Sequence, residues 1–172
     1  GVWMLGSASF LKEQHVVFVV TAVTATLSTG WPFGAVCLVP MGVHILYKEF
    51  NSGRIVSFIS MVVAVTAMIQ ALVMMVDVQY YGRWVSPTWN IFAYNAGGSG
   101  DELYGIEPLS YYVKNLLLNL NVVAPLGLLA LPIQLLSAKN NKDWNVVTML
   151  SCIFMWMAIT VPRPHKEERF LF

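Results

Sequence analysis

The chain has 172 residues, 57% of them hydrophobic and only 11% charged, with a formal net charge of +1. Its mean hydropathy of +0.64 is too high for a water-soluble domain of this length. With no basic stripe interleaved with aromatics, the charge balance gives no case for nucleic acid as a partner. Long uncharged stretches recur instead, the signature of membrane-spanning helices, so the lipid bilayer is the first partner.

Gly1 to Leu11 is apolar but lacks a basic leading region, and reads as the tail of a helix rather than a signal peptide. From Lys12 to Lys48 the only formal charge between the ends is Glu13, and the stretch is too long for one straight span. Gly30-Trp31-Pro32-Phe33-Gly34 breaks it, predicting a hairpin of two short helices over 15–29 and 33–47. His15 and His44 sit at the outer ends of the two limbs and read as interfacial histidines. Cys37 and Cys152 lie in apolar segments and read as small buried hydrophobes. No His, Cys or Asp grouping has metal-ligand spacing, and no cofactor is expected.

After the polar connection at 48–54, residues 55–76 form the cleanest span in the sequence, with Gln70 as its one strongly polar interior residue. Residues 77–114 differ in character: they mix aromatic, glycine and acidic residues in a segment too long for an ordinary connection and too aromatic for disorder. They predict a folded loop on the membrane surface, with short interfacial helices on either side of Gly97-Gly98-Ser99-Gly100. A structural cap over the bundle accounts for the loop as well as a binding surface does. Spans are expected over 115–137, which contains Pro125 and Pro132, and over 145–161, which ends at Pro162-Arg163-Pro164. In all, the chain predicts an all-α polytopic membrane protein with about five transmembrane helices in one partial transmembrane domain over 1–172.

Five ionisable residues then stand in a row, His165, Lys166, Glu167, Glu168 and Arg169, directly before Phe170-Leu171-Phe172. A charge cluster between apolar runs is costly unless it faces water, a polar cavity or a ligand. Short charged loops often do no more than mark an interface, so that reading stands beside a functional one. Two spans separate loop 77–114 from this cluster, which puts both on one membrane face. Lysine and arginine divide evenly between the faces and do not orient the chain. Most of the acids gather on the loop face: Asp77, Asp101, Glu102, Glu107, Glu167 and Glu168. Carboxylates, aromatic rings and cations together suit a substrate carrying sugar hydroxyls and phosphate. A transporter would put charges at mid-membrane depth, and the spans hold none.

The stretch from Pro164 to Phe172 resembles the signature of glycosyltransferase family 22, the dolichyl-phosphate-mannose-dependent mannosyltransferases of the endoplasmic reticulum, and His165 to Leu171 match it without a break. Residues Tyr81 to Ile91, Leu103 to Pro108 and Tyr111-Tyr112, with Gly30 to Phe33, are similar to its α-1,2-linking members, which extend the lipid-linked precursor of N-glycosylation. The resemblance runs from about Lys12 to the end. It implies a partial GT-C fold and inverting mannose transfer on the lumenal side, with dolichyl-phosphate-mannose as donor and dolichol-linked oligosaccharide as acceptor. Loop 77–114 and residues 163–172 would then be lumenal. Members acting on glycosylphosphatidylinositol precursors, or forming α-1,6 linkages, share the terminal signature and stay open as alternatives. The family's base lies in a first lumenal loop that this sequence does not contain, so the chain reads as a middle piece of a longer protein, catalytically inert alone, with a segment missing at Leu11–Lys12. His165, Lys166 and Arg169 would contact the dolichyl phosphate, and Glu167 and Glu168 would hold the cations or bind sugar hydroxyls. A structural ion-pair network is the competing reading. Asp101, Glu102, Tyr104 and Glu107 are candidates for acceptor contacts.

Overall fold

The structure, a computed structural model, describes residues 1–28, 32–97 and 105–167. Among the described residues all regular structure is helical. The chain forms two compact units, residues 1–97 and 98–172.

The first unit contains α1 (Val2–Leu11), α2 (His15–Ser28), a 3-10 helix (Pro32–Leu38), α3 (Val39–Asn51), α4 (Ile55–Tyr81) and α5 (Pro87–Ala96). Helix α2 is its hub, packing on α1, α4 and the 3-10 helix. Phe10, Phe18, Val19, Ala25, Met41 and Ile45 form the buried core. The hairpin limb expected as one helix over 33–47 begins as 3-10 and becomes α-helical only at Val39. Pro40 supplies the reason: it has no N–H to give the carbonyl of Val36, so an α-helical ladder cannot run through it.

Gly34 lets the Trp3 ring close onto the 3-10 helix. A Cβ at that position would stand 2.8 Å from Trp3 Cζ2. Gly34→Ala is expected to destabilise the first unit by about 1–3 kcal/mol through overpacking. A lower melting temperature in detergent checks this, and an unchanged one contradicts the close packing.

At the opposite end of α2 the chain ties three connections together. The buried Glu49 accepts from Arg54 Nε at 2.9 Å and from Nη2 at 3.2 Å, and His15 Nδ1 lies 2.6 Å from its Oε1. Lys48 donates to Glu13 at 2.8 Å, and this bond holds the Glu13 carboxyl below its ordinary pKa. His15 and His44, expected at an interface, are engaged here: His15 with Glu49, and His44 edge-on to Phe10 with ring centroids 5.4 Å apart.

Helix α4 runs past the expected end at 76 to Tyr81, where Gly82 at φ 64° caps it by donating to the Val78 carbonyl at 2.9 Å. None of its residues is buried. The expected short helix before the glycine break is α5, capped by Ser86 with Pro87 in the first turn.

The second unit contains α6 (Ser110–Leu120), α7 (Val123–Ser137) and α8 (Asn141–Thr160), with α7 packed between the other two. The single helix expected over 115–137 is instead two, α6 and α7, meeting at 105°. Pro125 would have had to donate to Asn121 in a continuous helix; lacking the N–H, it leaves Asn121 at φ 49° as the corner. Helix α8 starts earlier than expected because Asn140 and Asp143 form a capping box, with Asp143 N donating to Asn140 Oδ1 at 3.0 Å. Asn140→Ala should cost about 1 kcal/mol, read as faster backbone hydrogen exchange in the first turn of α8; unchanged exchange would mean the box is not formed.

Among the described residues, Pro32–Asn51, Ile55–Tyr81 and Asn141–Thr160 are long and apolar enough to cross a membrane, and the bent pair α6–α7 makes a fourth candidate. The limb expected over 15–29 is 14 residues long. At about 1.5 Å per residue it falls short of the roughly 30 Å hydrocarbon thickness.

Candidate functional site

The site is built within the second unit, where the chain leaving α8 comes back onto the residues before α6. Val161 N donates to Met157 O at 2.9 Å, closing the last turn of α8. Pro162 and Pro164 then prevent the helix from continuing. Glu107 N donates to Pro164 O at 3.0 Å, so Gly105–Pro108 and Pro164–Glu167 lie side by side. The stretch that the sequence marked as two separate motifs is therefore one contact surface.

Lys166 is the pin. It is only 6% exposed. Its ammonium donates to the Glu107 carbonyl at 3.0 Å and to the Arg163 carbonyl, and lies 6.0 Å from the centre of the Tyr112 ring. Tyr112 is 1% exposed, the most enclosed large side chain among the described residues of this unit. A buried ammonium needs hydrogen-bond acceptors, and here two carbonyls and an aromatic face meet that need. The structure thus turns Lys166 inward. The open cation expected of a phosphate ligand is not what its side chain presents.

His165 is held from both sides. Its Nδ1 is 3.0 Å from Gly105 O, and its Nε2 is 2.9 Å from Glu167 Oε1. These two contacts engage both ring nitrogens and fix the plane of the imidazole. The carbonyl on Nδ1 reaches the ring because Gly105 stands at φ +88°, a conformation that an L side chain resists.

Of the other candidates, Glu107 is brought to the cluster through its backbone, while its side chain is exposed. Asp101, Glu102, Tyr104, Glu168 and Arg169 lie outside the described residues. Among the described residues no three His, Cys, Asp or Glu side chains converge as a metal site would require. Gly105 and Tyr112 are not among the site residues expected from sequence, where Tyr112 stands out only as one of the aromatics of loop 77–114 and both fall in the stretches that carry the family resemblance. A glycine directly before an acidic, proline-containing stretch was the available signal for the first; nothing in the sequence marked Tyr112 as the wall behind Lys166.

A family model described as the Alg9-like mannosyltransferase family matches residues 2–172. The chain is 30% identical over 169 residues to the α-1,2-mannosyltransferase ALG9 of Arabidopsis thaliana, covering 98% of this chain and 28% of that protein. It is 35% identical over 161 residues to the mouse α-1,2-mannosyltransferase ALG9, with 89% and 26% covered. With the Saccharomyces cerevisiae ALG9 it shares 34% identity over 153 residues, 83% of this chain and 25% of that one. The chain therefore spans between a quarter and a third of the length of these relatives. No solved structure matches it.

Proposed function

The chain belongs to the Alg9-like mannosyltransferase family, and from that premise we propose that the full-length protein transfers mannose from dolichyl-phosphate-mannose to a dolichol-linked oligosaccharide, with inversion, forming α-1,2 linkages in the endoplasmic reticulum membrane. The observation that carries this reading is the match to one family over residues 2–172. The relatives are α-1,2-mannosyltransferases, which favours the α-1,2 linkage over the α-1,6 and glycosylphosphatidylinositol alternatives. In the same reading the helices belong to a GT-C fold, with residues 77–114 and 163–172 facing the lumen.

An inverting transfer has three requirements. The acceptor hydroxyl loses its proton to a base as its oxygen attacks the anomeric carbon. The bond from that carbon to the phosphate oxygen breaks on the opposite face. The electron pair leaves with the phosphate, whose charge must be stabilised. We assign none of these residues as the base. His165 and Glu167 form a hydrogen-bonded pair that lines the site. Lys166 positions it, and Arg169 supplies the cation for the dolichyl phosphate. Glu107, whose carboxylate is exposed, is assigned with Asp101, Glu102, Tyr104 and Glu168 to sugar hydroxyls.

Complementation tests the assignment. Cells lacking the α-1,2 enzyme receive the full-length protein, and their lipid-linked oligosaccharides are profiled. Restored extension past the truncated glycan is the expected result. Failure of a well-expressed protein, with rescue instead of cells lacking the α-1,6 enzyme, would move the assignment to that sister activity.

A further inference from the structure

We propose that α5 and the return segment before it form an element sunk into the bilayer, with their exposed rings occupying the boundary between headgroups and acyl chains. This goes beyond the assignment of activity and does not depend on it.

The first observation is depth. Gln70, in α4, donates to Ser86 Oγ at 3.4 Å, and the same oxygen accepts from Trp89 N at 3.3 Å as the cap of α5. Thr88 donates to the carbonyl of Leu27 at 3.0 Å, so α5 also sits across the C-terminal end of α2. The bond from Gln70 therefore sets the start of α5 at the level of Gln70, not at the level of Tyr81 where α4 ends, and the bond to Leu27 ties it to α2. At about 1.5 Å per residue, the interval from Gln70 to Tyr81 is roughly 16 Å.

The second observation is the length of α4. Its 27 residues amount to roughly 40 Å. The charged knot of Lys48, Glu49 and Arg54 stands at its first residue, and the next charge along it is Asp77. A hydrocarbon layer of about 30 Å starting at Ile55 ends near Met75. Gln70 then lies about 7 Å inside the layer, within the roughly 5–10 Å at which interfacial helices rest.

The third observation is what α5 presents at that depth. From Trp84 through Gly97 there is no charged residue. Trp84 and Trp89 are 68% and 64% exposed. Phe92 stacks on Phe33 with centroids 5.8 Å apart yet keeps one side open. Tyr80 and Tyr81 at the end of α4 are exposed as well, and Arg83, the one charge of the return segment, stands between them and Trp84. Rings with a polar edge at this depth are what a headgroup boundary selects. The occupant is therefore lipid, on a surface held against the flank of a span.

The test uses nitroxides in the full-length protein, reconstituted in phosphatidylcholine vesicles. Single cysteines replace residues as Tyr81→Cys, Trp84→Cys and Trp89→Cys in a cysteine-free background that includes Cys37→Ala and Cys152→Ala. Collision rates are measured with oxygen, which concentrates in lipid, and with a water-soluble nickel chelate. At position 89 oxygen should outweigh the chelate several-fold, and depth should increase in the order 81, 84, 89. Preference for the chelate at 84 and 89 would place the segment in water and overturn the proposal. Protection from both reagents would mean protein covers it, which also overturns it. Because three positions report, misfolding of one variant leaves the depth order readable from the others, and monodisperse elution of each variant in detergent checks its fold separately.

Discussion

Replacing Lys166 with alanine in the full-length protein is expected to lower the proposed mannosyl transfer by at least about 100-fold, with the protein still in the membrane. The expected magnitude follows from displacement of the site: a misplacement near 1 Å is enough for a loss of that order. Removing the side chain leaves the Glu107 and Arg163 carbonyls without their shared donor and opens a void against Tyr112. Both bonds are part-buried, and loss of a donor at such an acceptor costs up to about 1–3 kcal/mol, which is expected to loosen Gly105–Pro108 from Pro164–Glu167. Lys166→Met sharpens the test by keeping the aliphatic stem and deleting the three N–H donors. If Lys166 acts by pinning, both variants lower kcat and expose residues 105–108 to protease. If its ammonium instead binds the donor phosphate, the loss falls on KM for the donor and the protease pattern stays as it was. Normal turnover in both variants would remove Lys166 from the site altogether.

The second large effect concerns the clamp on His165. His165→Ala should lower transfer by about 100-fold, and Gly105→Ala by about 10-fold or more, through the same bond. Alanine at φ +88° is strained, although the space around Gly105 is open. Relaxation of that strain, about 1–2 kcal/mol, turns the carbonyl away from Nδ1. The double variant is the decisive measurement. If Gly105 acts by holding His165, it loses no more than His165→Ala alone, because the bond is already gone. Losses that multiply would mean that the glycine serves the loop and not the imidazole.

Much of this architecture was legible in the sequence because membrane spans announce themselves by composition. The uncharged stretch from Ile55 onward is a helix, and α2 and the 3-10 helix that begins at Pro32 are separate elements, as hydropathy and helix-breaking residues required. The bend at Asn121 was not legible. Prolines in membrane helices are often accommodated, and only the three-dimensional path reveals that the chain turned at Pro125 yet continued through Pro132. In the site, the residue types were visible but not their directions. A row of His165, Lys166 and Glu167 reads as a polar surface, whereas alternation of the backbone buries Lys166 and leaves its two neighbours to pair with each other. Gly105 and Tyr112 matter through a carbonyl and a ring wall, which local sequence does not encode.

The short reach of α2 has a consequence for how the chain is made. Its 14 residues carry Thr21, Thr24, Thr26 and Ser28, whose hydroxyls are all turned back onto carbonyls of their own helix. Such a segment leaves the ribosome before α4 but is too brief to hold a transmembrane position by itself. Helix α4, apolar and self-sufficient, can partition into lipid at once. The earlier helix is therefore expected to enter the bilayer only together with the later one on which it packs. Weakened contact between them should then lower the amount of inserted protein before it lowers turnover.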